Sequence, residues 1–186
     1  MLKTLLFTLC AAGLLACSAP ANRLDMVQLK SELSLTTAFE TLMVRTVSLP
    51  AYAAAEELAI QSAEGLILSD TDVIWADAPE RAVTLRIAQH LNQILSATAG
   101  PDPWPFVALP DIAVDIRVSE MLTHADGHFH LQGQYFVGGD GIDYPNSAKS
   151  FDIAQAMSGQ TLRDVAAAQS AALLTLAEQI ARTVAR

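Results

Sequence analysis

Two stretches of strict alternation constrain this chain more than anything else in it. In Asp111 to Thr123, Ile112, Val114, Ile116, Val118 and Leu122 share one side; in His128 to Gly138, Phe129, Leu131, Gly133, Tyr135 and Val137 do. A period of two is the signature of a strand with one buried face, and two such runs so close together read as a hairpin. Both apolar sides must face one core, and that condition selects the turn. A two-residue Asp126-Gly127 loop pairs even positions with odd ones, setting Leu122 opposite Leu131 and Val118 opposite Tyr135. A three-residue loop is expected to bury one strand's polar side.

Two helices flank this hairpin in sequence. Asp77-Ala78-Pro79-Glu80 reads as a capped start, with Asp77 accepting from the first turn and Glu80 completing a capping box. Val83, Ile87, Leu91, Ile94 and Leu95 then recur at helical spacing until Gly100-Pro101. From Thr161, with Asp164 as its capping partner, Leu162, Val165, Gln169, Leu173, Leu176, Ile180 and Val184 line one side of an alanine-rich helix. Further strands are expected at Thr41 to Leu49 and Ser147 to Ile153, with a small hairpin from Glu57 to Gln61 and Gly65 to Leu68; Leu24 to Leu29 reads as a short strand, with helix left open by Asp25 and Lys30-Ser31-Glu32. Together these elements predict a single-domain mixed α/β fold, its mostly antiparallel sheet covered by two long amphipathic helices.

The start of the chain is read as processed rather than folded. Lys3, a short apolar run from Leu5 and the sequence Leu14-Leu15-Ala16-Cys17 have the layout of a secretory signal, residues 1–16. Cys17 sits where a bacterial lipobox places its lipidated residue. Residues 17–23 then form a tether reaching at most about 20 Å, and the folded body begins at residue 24. Of the two cysteines, Cys10 leaves with the signal and Cys17 is consumed by lipid, so the mature body has no thiol for a disulfide or a metal. It also carries about 10 basic against 20 acidic residues. That balance disfavours nucleic acid and leaves the acyl chains as the membrane attachment.

Chemical motifs are sparse. His124, His128 and His130 are the most tempting metal ligands, but the two-residue turn puts His124 on the core side and the other two opposite, so no metal site is expected; the three-residue alternative gathers them. Gly138-Gly139-Asp140-Gly141 lacks a helix behind it and reads as a turn rather than a phosphate cradle. Asp70, Asp72 and Asp77 lack the spacing of a calcium loop and read as loop and cap. No catalytic residues and no cofactor are assigned. The stretch Pro101-Asp102-Pro103-Trp104-Pro105-Phe106 sets two aromatics in a proline-stiffened loop. Trp104 and Phe106, and Tyr52 after Leu49-Pro50, either present a contact surface to a partner or a second copy, or close the sheet end over the first helix.

The lipobox, the strand ending Val47-Ser48-Leu49-Pro50 with Tyr52 beyond it, Val73-Ile74-Trp75-Ala76-Asp77 running into a helix, the long hairpin and the alanine-rich tail resemble the ABC-type transport auxiliary lipoprotein family, the PqiC/YmbA-like group. The resemblance implies an outer-membrane lipoprotein facing the periplasm. It further implies a non-enzymatic accessory role beside an MCE-domain (mammalian-cell-entry) protein and its ABC transporter, moving lipid across the envelope and supporting its integrity. Ser18 after the cysteine is consistent with that address. The long stretch between Leu29 and Leu42 and the Pro-Trp-Pro loop depart from the pattern. Two rivals stand beside it: a lipid-anchored periplasmic hydrolase, which requires a deep polar cleft, and a structural envelope lipoprotein.

Overall fold

The computed structural model describes residues 22–185. The signal, the lipobox with Cys17 and the tether as far as Ala21 lie outside the described residues. In chain order the elements are β1 (Asn22–Leu24), β2 (Thr41–Val44), α1 (Ala51–Ala54), β3 (Glu57–Gln61), β4 (Ile67–Trp75), α2 (Pro79–Ile94), β5 (Thr98–Pro101), β6 (Ile112–Thr123), β7 (His128–Gly139), β8 (Ser147–Ala156) and α3 (Leu162–Val184). Among the described residues the strands form one eight-stranded sheet. Its extensive pairings, β3 with β4 and β7 with both β6 and β8, are antiparallel. The parallel ones are short: three or four residues for β1 with β4 and for β2 with β5 and β6, and a single pair for β3 with β6.

The strand β6 organises the sheet. β7 runs along one of its edges, while the other is shared by β2 at its start and by β3 at its end, where Ile60 meets Thr123. Between these two partners the chain bridges the gap: Val118 donates to Ser48 O at 2.9 Å, and the Met121 amide donates to the Tyr52 phenol oxygen at 3.3 Å. Tyr52 thus stands in for a missing strand and satisfies an amide the sheet leaves over.

The hairpin register differs from the expected one. His124 N donates to His128 O at 2.9 Å, so the loop is the three residues Ala125-Asp126-Gly127, with Gly127 at φ +82° where a side chain is disfavoured. Met121 faces Leu131 and Thr123 faces Phe129. That phase alone misplaces the first half of β6, as the alternation argument requires. A bulge at Ser119 repairs it: beyond the extra residue Val118 pairs with Gly133, Ile116 with Tyr135 and Val114 with Val137. Each apolar set therefore reaches the core, but Leu122 is buried away from it while Met121 takes its place.

Helices α2 and α3 pack on one face of the sheet and against each other. Val83, Ile87, Leu91 and Ile94 of α2 and Val165, Leu173, Leu176 and Ile180 of α3 are buried as the spacing predicts; Leu162 is 39 % exposed. The α3 capping box forms as read, Thr161 Oγ1 accepting from Asp164 N while Asp164 accepts from Thr161 N. The Thr161 hydroxyl, donating to Asp164 Oδ2 at 2.6 Å, and after it the Ser158 hydroxyl and the Thr161 amide hold the Asp164 carboxyl below its usual range. The α2 start is corrected: its N-cap is Ala78 without a side-chain bond, and Asp77 instead accepts from Ala78 N and pairs with Arg81. The helix stops at Leu95 because Thr98–Pro101 leaves to pair with β2.

Three strand expectations also shift. Thr41–Val44 pairs but the run to Leu49 does not continue as strand, though Val47 within it is buried. Asp70-Thr71-Asp72 lies inside β4 rather than in a loop. Past β1 the chain leaves the sheet and straps the helix pair: Ser170 Oγ accepts from Val27 N at 2.9 Å, Ser31 Oγ donates to Glu178 at 2.5 Å, and Leu35 N donates to Ile94 O at 2.7 Å. The long stretch between Leu29 and Leu42 is this strap.

Candidate functional site

The ends of the β6–β7 hairpin differ in chemistry. At the start of β6, Asp111 ties three segments together. Its Oδ2 accepts from Glu40 N (2.7 Å) and Thr41 N (3.0 Å), its amide donates to Thr41 Oγ1 (2.8 Å), and its carbonyl accepts from Asp140 N (2.9 Å). The loop from Pro101 to Asp111 rises from this junction. Asp102 anchors its base, donating to Val44 O at 2.8 Å and accepting from Thr46 Oγ1 at 3.0 Å. Trp104 packs its ring against Gly100 and donates from Nε1 to Ala108 O at 2.8 Å, which folds the loop back on itself. Phe106 lies edge-on to Trp104, ring centroids 5.0 Å apart.

Trp104 is therefore a buttress, while Phe106 and its neighbours face solvent. Phe106 is 55 % exposed, Leu109 69 % and Val107 wholly so. Ile142 in the β7–β8 connection is also exposed, and that connection touches the loop where Gly141 approaches the carbonyls of Leu109 and Pro110. Three apolar side chains on one stiffened loop with a fourth beside them make an exposed apolar patch rather than part of the core. The sequence signal for Trp104 and Phe106 was the aromatic pair; Val107 and Leu109 continue it in Phe106-Val107-Ala108-Leu109-Pro110, an apolar run with no alternation to bury it.

At the other end of the hairpin the histidines converge, contrary to the expected register. Beyond the bulge, even positions of β6 and of β7 point to the face away from the helices, which brings Glu120, His124, His128 and His130 to one side. His124 stacks on His130 with ring centroids 4.0 Å apart and donates from Nε2 to Glu120 Oε1. Asp126 Oδ2 lies 3.0 Å from His130 Nε2, and its Oδ1 accepts from His128 N at 2.8 Å. The His128 amide, above all, holds the Asp126 carboxyl below its usual range. Nothing in the sequence marks Glu120, because its place beside the histidines follows from the three-residue loop that the alternation argues against.

Tyr52 belongs to neither cluster's surface. It is half-buried against β6, near Glu120, and burial raises its phenol above the ordinary value. Beside the histidine end lies the β3–β4 hairpin tip, where Leu66, Ile67 and Leu68 are 61 %, 45 % and 47 % exposed. On the open face of the sheet a groove of ≈ 520 Å³ is walled by Arg45, Asp115, Phe136 and Asn146. No described helix is long and apolar enough to cross a membrane.

Residues 26–181 match the family described as the ABC-type transport auxiliary lipoprotein component. The chain belongs to this family. An auxiliary lipoprotein of ABC-type transport is an accessory component associated with a membrane. Two solved structures share the fold. One, a Xanthomonas campestris protein of the DUF330 family model, is 13 % identical with a TM-score of 0.66, covering 89 % of this chain and 95 % of that one. The other, described as an uncharacterized protein, is 12 % identical with a TM-score of 0.66, covering 89 % and 99 %. No curated protein matches the sequence.

Proposed function

We propose that this auxiliary lipoprotein is a non-enzymatic docking subunit. Acyl chains on Cys17 hold it to the periplasmic face of the outer membrane, and its Phe106–Leu109 loop receives an MCE-domain protein whose ABC transporter drives lipid movement. The observation that carries the reading is the polarity of the fold. β1 runs parallel to β4, with Asn22 beside Val73, so the N-terminal end of β1 points toward the β3–β4 tip. Six residues of β4, about 20 Å, separate that level from Ile67. Five residue steps lead from Cys17 to Asn22 and span at most about 18 Å.

A lipid on Cys17 therefore favours an orientation with Leu66, Ile67 and Leu68 toward the bilayer. The proline-stiffened loop lies beyond the far end of a hairpin some 12 residues long, about 40 Å away. That end faces the periplasm, where a partner spanning the envelope arrives. Apolar surface at both ends, one for lipid and one for protein, suits an adaptor. In the test, Phe106→Ser, Val107→Ser and Leu109→Ser are combined in the lipidated chain. The account expects unchanged membrane attachment and folding but loss of MCE-domain protein from the co-purified complex and a leakier envelope. Full co-purification by the triple variant overturns the docking face.

A further inference from the structure

We propose that Glu120, His124 and His130 form a binding site for a zinc-class divalent cation on the open face of the sheet. The ligand atoms of these three side chains all lie within 4.8 Å of one another. A tetrahedral zinc with bonds of about 2.0–2.2 Å places its ligands about 3.3 Å apart, so short side-chain rotations close the site. The site is open to solvent along one side: His130 is 16 %, His124 21 % and Glu120 26 % exposed. The two rings lie face to face, and loading the ion turns their planes apart while the hydrogen joining His124 to Glu120 gives way to the metal.

The backbone holds the set. The three-residue loop, unexpected from the alternation, brings residues 120, 124 and 130 to one face, and the Ser119 bulge makes that loop compatible with a core-facing first half of β6. Three of the chain's four histidines sit in this single turn, which concentrates the nitrogen donors. Asp126, fixed by the His128 amide, holds one ring nitrogen of His130, the carboxylate–imidazole pairing that orients metal-bound histidines. Two imidazoles and one carboxylate make a donor set for zinc, or for nickel or copper at higher affinity, and not for calcium or magnesium, which take oxygen. Three protein ligands leave a fourth position open. The site is remote from the Phe106 loop and stands whether or not the docking role does.

The experiment uses the full chain in detergent, stripped of metal, titrated with Zn²⁺ alone by calorimetry. One ion is expected per chain, and E120Q, H124N and H130N are each expected to weaken binding by about 10–100-fold. Metal-free circular dichroism checks that each variant is folded. Should a variant fail that check, the wild-type chain loaded with Co²⁺ decides, a four-coordinate visible band being expected. Zinc affinity weaker than about 100 µM, affinity undiminished in the three folded variants, or a cobalt spectrum like that of the hydrated ion overturns the site.

Discussion

Asp111 and Gly133 each serve one tight junction of the sheet, the first by its carboxylate and the second by having no side chain. Without the Asp111 carboxylate, the amides of Glu40 and Thr41 lose their acceptor at the point where β2 enters the sheet. Asp111→Ala is expected to cost about 1–3 kcal/mol in urea unfolding, and an unchanged midpoint would refute the clamp. Gly133 sits opposite the bulge, where an added Cβ meets Arg117 O at 2.3 Å and Phe151 Cζ at 2.7 Å. Gly133→Ala should destabilise by about 1–3 kcal/mol in the same measurement, more than Gly65→Ala if crowding rather than backbone conformation governs. At this scale the sequence was least legible. The identities that alternate were plain, but whether His124 shares a face with His130 turned on a loop of three residues rather than two, which the core accepts only because one extra residue at Ser119 resets the phase of the first half of β6.

The elements were far more legible, for the reason that they repeat their signal. The core stripes of α2 and α3, the α3 capping box and the long hairpin each rest on several residues that agree, so one misplaced residue does not move them. The α2 cap failed because Asp77 binds Arg81 and its own neighbour's amide, and the strap was missed because its contacts are with residues more than fifty positions away. Beneath the strap His90 of α2 is buried, and burial first, then Arg86, lowers its pKa, against the opposing pull of Glu178. A histidine kept neutral in the folded state binds its proton more readily when unfolded. Its share of stability is therefore complete above the ordinary histidine value and falls away as pH drops below it toward the lowered folded value. Guanidinium unfolding between pH 7.5 and 5 should show this decline, and His90→Leu should flatten it; equal slopes in both proteins would show that His90 does not titrate on unfolding.

Across the whole molecule, the fold separates two apolar ends by the length of its longest hairpin. The aromatic pair at Trp104 and Phe106 was visible from sequence; that Trp104 supports while Phe106, Val107, Leu109 and Ile142 present was not, since exposure is a property of the assembled sheet. The Leu66–Leu68 tip was read only as part of a hairpin, its position relative to the first strand being a matter of topology. If Cys17 carries the proposed acyl chains, Cys17→Ala releases the chain from membranes in a fractionation assay and leaves its thermal unfolding unchanged. Release without any loss of envelope integrity would separate anchoring from function. The most direct measurement places a photo-crosslinking residue at Val107 in one variant and at Ile67 in another, in intact cells expressing the lipidated chain. The account predicts an adduct with an MCE-domain protein from Val107 and lipid adducts from Ile67. The same protein partner captured from Ile67 and none from Val107 would contradict it.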